Sequence, residues 1–167
     1  ESRLPFEMGM IPNHYVGRTF IQPSQAMRDF GVRVKLNPVQ PLIVGKKIVI
    51  VEDSIIRGTT SRNRVRHLRE CGVKEIHMVV SCPPTRHPCP YGIDFSMRGE
   101  LIAAEKEDES KIASFIGLDS LHYLSLEGMV QATGMARESF CLACYTGDYP
   151  LPPPAAFGKF CFEGHLV

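Results

Sequence analysis

Two acids, Glu52 and Asp53, follow the apolar run Ile48-Val49-Ile50-Val51 and lead straight into Ser54-Ile55-Ile56-Arg57-Gly58-Thr59-Thr60-Ser61. Adjacent carboxylates at a strand end can accept from a vicinal diol or hold a divalent cation. A loop running from a strand into a helix offers backbone N–H groups, and the positive end of the helix, to a phosphate. Gly58 admits a φ and a close approach that a Cβ would obstruct, and Thr59, Thr60 and Ser61 add hydroxyl donors. A Gly-Thr-Thr turn alone would read as ordinary helix capping. Two acids together with the whole loop point instead to a phosphosugar site. The glycine spacing matches neither a P-loop nor a dinucleotide fingerprint.

A second constellation is sulfur. Cys141-Leu142-Ala143-Cys144 forms a C-x-x-C pair, and Cys89 stands between Pro88 and Pro90. Zinc, redox and iron–sulfur chemistry all use such pairs. A thioredoxin-like role is disfavoured, because the pair does not follow a strand in a βαβ pattern. Zinc would need a fourth ligand, for which His87 is the obvious local candidate. Cys71, near a helix end, and Cys82, at a strand end, are expected to serve packing, and the six histidines show no metal spacing. A chain of 167 residues can bury a core without disulfide staples, so reduced thiols are expected.

The elements that must position these residues can be read from periodicity. Four β-branched residues at 48–51 predict a strand buried on both faces, as in a parallel sheet. Ser61 to Cys71 predicts a helix with Val65 and Leu68 inward and Gly72 as its stop, and Lys74 to Ser81 the next strand, giving one βαβ unit. Pro5 to Ile11 is expected to be a strand, and Ser24 to cap a short helix through Arg28. Ser110 to Ile116 predicts a helix with Ile112, Phe115 and Ile116 on one face, and Leu121 to Leu124 a short strand. Ser125 is expected to cap a helix through Ala132. The proline-rich tail after Gly147 is expected to be extended and poorly packed.

A net charge of +1 gives no basic patch for nucleic acid and no polybasic membrane anchor. No apolar run approaches the roughly 20 residues of a membrane span, and no basic stretch precedes an apolar segment at the N-terminus. A cytoplasmic protein is expected. The chain opens at Glu1 without a Met, and is expected to be a piece of a longer protein.

The stretch Ile48 to Ser61 closely resembles the phosphoribosyl pyrophosphate (PRPP) signature of type I phosphoribosyltransferases. Its Ser-Ile-Ile-Arg-Gly-Thr-Thr-Ser form is similar to that of the glutamine-dependent amidophosphoribosyltransferases. Tyr15-Val16-Gly17-Arg18-Thr19-Phe20, Tyr91-Gly92-Ile93-Asp94 and Leu124-Ser125-Leu126-Glu127-Gly128 agree. One departure is Glu52, where this family more often has Asp, so altered ion geometry is expected. The resemblance implies an α/β type I phosphoribosyltransferase fold, a parallel sheet flanked by helices, incomplete over residues 1–104 and followed by a helical, cysteine-bearing extension over 105–167. It implies that Glu52 and Asp53 hold the ribose hydroxyls and Mg2+, and that Ser54 and Arg57 to Ser61 cradle the 5-phosphate. Tyr15 to Lys35 resembles the family's lid, with Tyr15 and Thr19 at the substrate and Arg18 and Lys35 neutralising the pyrophosphate. Cys89, Cys141 and Cys144 match three ligands of the 4Fe–4S cluster of one class, whose fourth cysteine lies upstream of this chain.

The activity so implied is transfer of ammonia, released from glutamine by an N-terminal glutaminase domain, to C1 of PRPP in the first step of purine synthesis. Purine nucleotide inhibitors and a homo-oligomer are implied as well. This piece alone is expected to be weak or inactive. A salvage phosphoribosyltransferase acting on a nucleobase shares the loop but leaves the three cysteines unexplained. A non-catalytic PRPP-sensing module is the third reading, and Arg18 and Lys35 weigh against it.

Overall fold

The computed structural model describes residues 3–13, 36–93, 98–106 and 108–153. β1 (Met10–Pro12) pairs antiparallel with β2 (Leu36–Pro38), followed by the short helix α1 (Gln40–Ile43). β3 (Lys47–Glu52), α2 (Thr59–Glu70) and β4 (Glu75–Val80) form the expected βαβ unit. α3 (Ile102–Glu105), α4 (Glu109–Ile116) and β5 (Ser120–Tyr123) come next, then α5 (Leu126–Thr133) and α6 (Ala143–Thr146). The central sheet is parallel, in the order β3-β4-β5, with Ile50 opposite Met78 and Met78 opposite Leu121.

The core fills one side of this sheet. Val65 and Leu68 of α2 and Ile112 and Ile116 of α4 meet Ile50, Ile76, Met78 and Leu121, all buried. Each fully buried aliphatic side chain contributes roughly 1.5–3 kcal/mol. The helix ends follow their sequence signals. Asp108 caps α4 by accepting from the Ser110 N–H at 2.7 Å, and Ser125 caps α5 by accepting from Gly128 at 3.0 Å. Gly72 (φ 87°) and Gly117 (φ 90°) turn the chain out of α2 and α4 through left-handed backbone.

Three expectations are corrected. β3 is not buried on both faces: Val49 is 48% and Val51 73% exposed. Among the described residues, helices cover only the face of Ile50, because alternation along a strand sends Val49 and Val51 the other way. Of Pro5–Ile11, only Met10 and Ile11 enter a strand, which runs on to Pro12. The described part of the tail, residues 148–153, is tied down. The Tyr149 hydroxyl donates to the Pro88 carbonyl at 2.6 Å, and the Tyr91 hydroxyl donates to the Leu151 carbonyl at 2.6 Å while accepting from its N–H at 3.1 Å. The helix expected at Ser24–Arg28 lies outside the described residues. Residues on both sides of the 104/105 boundary share one core and one sheet, since α4 packs on α2 and β5 pairs with β4.

Candidate active site

The loop after β3 is held by its apolar residues and by the chain segment around α3. Ile55, 2% exposed, anchors it in the core. The Ile56 carbonyl accepts from the Ile102 N–H at 2.9 Å. Arg57 Nη2 lies 2.6 Å from Glu100 Oε1, so this guanidinium braces the loop against the turn Arg98–Glu100. Gly58 stands at the head of α2 with φ 72°. A Cβ there would lie 2.8 Å from Ile102 Cδ1 and 3.4 Å from Phe115 Cε1. The close approach Gly58 allows is thus to the protein's own α3 and α4.

With glycine at the head of α2, no side chain caps the helix, and its first turn contains no acid. Its leading N–H groups and the positive end of a 12-residue helix make an anion seat. Thr59 and Thr60 are exposed beside it, whereas Ser61 is buried.

The two acids are not equivalent. Asp53 is exposed and its Oδ1 accepts from the Ser54 hydroxyl at 3.0 Å. Glu52 shares the helix-covered face with Ile50, and its Oε2 is ion-paired with Arg64 Nη1 of α2. Their side chains are only 18% and 15% exposed. Arg64 is a site residue that motif reading missed. Its signal was available: Ser61, Arg64, Val65 and Leu68 follow the i, i+3, i+4, i+7 spacing of an inward helix face, and an arginine on that face needs a carboxylate.

The loop that carries Cys89 is joined to the helix that carries Cys144. The Arg86 and His87 N–H groups both donate to the Cys144 carbonyl at 3.0 Å, which fastens the Cys89 loop to α6. Gly147 ends α6 with φ 84°, and the His87 ring lies 3.0 Å from where its Cβ would stand. Burial pushes the Cys144 thiol above its ordinary range, and the neighbouring Cys89, Cys141 and Cys82 sulfurs add to this. All are free cysteines, with Cys141 exposed, Cys89 and Cys144 half-buried and Cys82 buried. The Tyr145 hydroxyl lies beside Cys82 and Cys144, and burial raises its pKa well above the ordinary tyrosine value. Burial also raises the Cys82 thiol, with Tyr145 opposing the shift and the Asp53 charge adding to it. Among the described residues, no group of three or more His, Cys, Asp or Glu side chains is arranged to hold a metal ion, and this applies to the three thiols as it does to His87.

Tyr15, Arg18, Thr19 and Lys35 lie outside the described residues, as does Asp94.

Residues 15–96 match the family model described as a phosphoribosyl transferase domain. The amidophosphoribosyltransferase of Synechocystis sp. is 54% identical over 155 residues, which is 93% of this chain and 31% of that protein. That of Methanocaldococcus jannaschii is 53% identical over 90% of this chain and 31% of its own length. In structure, the chain resembles glutamine PRPP amidotransferase from B. subtilis, solved with ADP and GMP. The TM-score is 0.78 at 48% identity, covering 93% of this chain and 35% of that one. By sequence and by fold, then, the chain is homologous to amidophosphoribosyltransferases over most of its own length, and it spans about a third of the length of the relatives it matches.

Proposed function

We propose that this chain supplies the PRPP-binding part of an enzyme that transfers ammonia to C1 of PRPP. The carrying observation is the uncapped, acid-free start of α2 directly behind Asp53, at the carboxyl end of a parallel strand, where open α/β sheets bind ligands. The 5-phosphate takes the N–H groups of Thr59 to Ser61, with the Thr59 and Thr60 hydroxyls beside them. Asp53 accepts from the ribose hydroxyls. The nitrogen lone pair of ammonia forms the new bond to C1 as the bond from C1 to the pyrophosphate oxygen breaks. Pyrophosphate leaves, and the amine sheds a proton. No side-chain nucleophile is required. The protein contributes orientation and charge stabilisation around an oxocarbenium-like transition state, with Arg18 and Lys35 of the proposed lid neutralising the leaving group.

Asp53, exposed at the strand end, suits Mg2+, which is commonly held by one or two carboxylates plus substrate phosphates. Glu52 has one oxygen already committed to Arg64. The ion would neutralise charge on the pyrophosphate. Cys89, Cys141 and Cys144, all free thiols on segments joined by the Arg86 and His87 N–H bonds to the Cys144 carbonyl, suit an iron–sulfur cluster completed by a cysteine outside this chain. Such a cluster would tie the two loops together. Ammonia from a glutaminase domain, inhibition by purine nucleotides, a homo-oligomer and a cytoplasmic location complete the proposal.

Calorimetry on the full-length protein with Mg2+ and PRPP tests it. Binding is expected, and Asp53→Asn should weaken it by about tenfold or more, the loss of one charged hydrogen-bond acceptor. Absence of PRPP binding, or an Asp53→Asn variant that binds as the parent does, overturns the assignment.

A further inference from the structure

We infer that Arg64 is a positioning residue for the diol and cation site, holding Glu52 by one oxygen so that Asp53 alone presents an unneutralised carboxylate. The inference rests on the phosphoribosyl reading above, but its observations are independent of any ligand.

The first observation is geometric. Arg64 Nη1 pairs with Glu52 Oε2, and the next residue, Asp53, is left to Ser54. The second is burial. At 15% and 18% side-chain exposure, this pair is far from the solvent-screened surface pairs that contribute little. Breaking one partner would leave the other charge poorly solvated beside the core. The third is an unpaired donor: Arg64 Nε is buried with no hydrogen-bond partner. The guanidinium accepts that cost where its Nη1 reaches Glu52, so the contact is what fixes its place.

The charge consequence follows directly. Glu52 and Arg64 sum to zero, and Asp53 leaves one negative charge at the strand end. PRPP carries a phosphate and a pyrophosphate, so each additional uncompensated carboxylate repels it. Two bare acids would favour a cation but oppose the anion the cation accompanies. Arg64 removes one of the two charges while leaving Glu52 Oε1 as an acceptor. Glu52, one methylene longer than aspartate, can reach α2 with one oxygen and still present the other.

The test uses Arg64→Met, Arg64→Lys, Glu52→Gln and the Arg64→Met/Glu52→Gln double variant in the full-length protein. Calorimetry is expected to show the PRPP Kd rising about tenfold in Arg64→Met, the scale of one lost charge-assisted contact. Half-saturating Mg2+ should fall by roughly threefold, because the freed carboxylate attracts cations. Arg64→Lys, which keeps the charge, should hold the PRPP Kd within about threefold of the parent. A purely structural arginine would weaken Mg2+ and PRPP together, and that result overturns the inference, as does an unchanged PRPP Kd in Arg64→Met. Unfolding midpoints give a readout without substrate. The pair requires that the double variant lose less stability than the two single losses added, and strict additivity overturns it. If Arg64→Met fails to fold, Arg64→Lys and Glu52→Gln carry both measurements. Should the parent protein bind no PRPP, the functional reading fails, while non-additive unfolding still decides whether Arg64 sets Glu52.

Discussion

Gly58 and Ile102 touch so closely that a Cβ on the glycine would stand 2.8 Å from Ile102 Cδ1. The same loop is tied by the Ile102 N–H to the Ile56 carbonyl. Gly58→Ala therefore carries two penalties. One is left-handed backbone at φ 72°, about 1–2 kcal/mol for an L-residue. The other is a forced shift of the buried Ile102 side-chain end, an overpacking cost of ~1–3 kcal/mol if the packed core resists it. Gly45 separates them: it also has positive φ, but nothing lies within 4 Å of its Cβ position. Chemical denaturation should show Gly58→Ala losing clearly more stability than Gly45→Ala. Equal losses would mean that Ile102 moves aside freely and that α3 does not buttress the loop.

The thiols separate into cluster and packing roles by experiment. In anaerobically prepared full-length protein, Cys89→Ser, Cys141→Ser and Cys144→Ser should each abolish most bound iron and acid-labile sulfide, with the visible absorbance that accompanies them. Cys71→Ser, at the end of α2 and remote from the sulfur loops in sequence, should leave both intact. Iron retained in all three variants, or absent from the parent, refutes the ligand assignment.

Gly147 tests how the sulfur loops are held. Its φ of 84° disfavours any L side chain, and the His87 ring, 3.0 Å from its Cβ position, would have to give way to one. Gly147→Ala should push His87 off α6 and strain the two N–H bonds from Arg86 and His87 to the Cys144 carbonyl. The expected outcome is a loss of roughly 1–3 kcal/mol in unfolding and faster loss of iron to a chelator. Unaltered chelation kinetics would show that the loops are fixed by something other than this contact.

What the sequence disclosed, and what it hid, divides along physical lines. The βαβ unit, the caps at Ser125 and the inward Val65 and Leu68 were legible, because local periodicity and capping chemistry dictate them. The uncovered face of β3 was not. A β-branched run such as 48–51 looks the same whether one or both of its faces are covered, and burial depends on what else packs there. The loop's chemistry was visible in Glu52 to Ser61, and helical spacing put Arg64 on the inward face, but which of the two acids it pairs with was not visible, since that depends on how α2 lies against the strand end. Gly58 was singled out for a ligand, yet its neighbour in space is Ile102, a contact between distant segments that no motif encodes. The ties that hold the tail, Tyr91 to Leu151 and Tyr149 to Pro88, are likewise long-range, at 60 and 61 residues' separation.

Asp119 supplies the pH test of the scaffold. Its Oδ2 accepts from the Ile76 N–H at 2.6 Å and from Arg69 Nη2 at 2.5 Å, fastening the loop before β5 to β4 and α2. The backbone N–H of Ile76 first, and the Arg69 guanidinium second, hold its carboxyl below the ordinary value of 3.8. A carboxylate whose folded pKa is depressed contributes stability that is fully present above the unfolded value. That contribution is lost as pH falls below it through the folded value. Glu75 and Asp108 are lowered too, but both remain in an Asp119→Asn variant and cancel in the comparison. The variant should be less stable than the parent near neutrality, and the gap should close as the pH falls from about 5 to about 3 and below. Urea midpoints across that range measure it. A gap that stays constant with pH would show that Asp119 stabilises through hydrogen-bond shape alone, without a contribution from its charge.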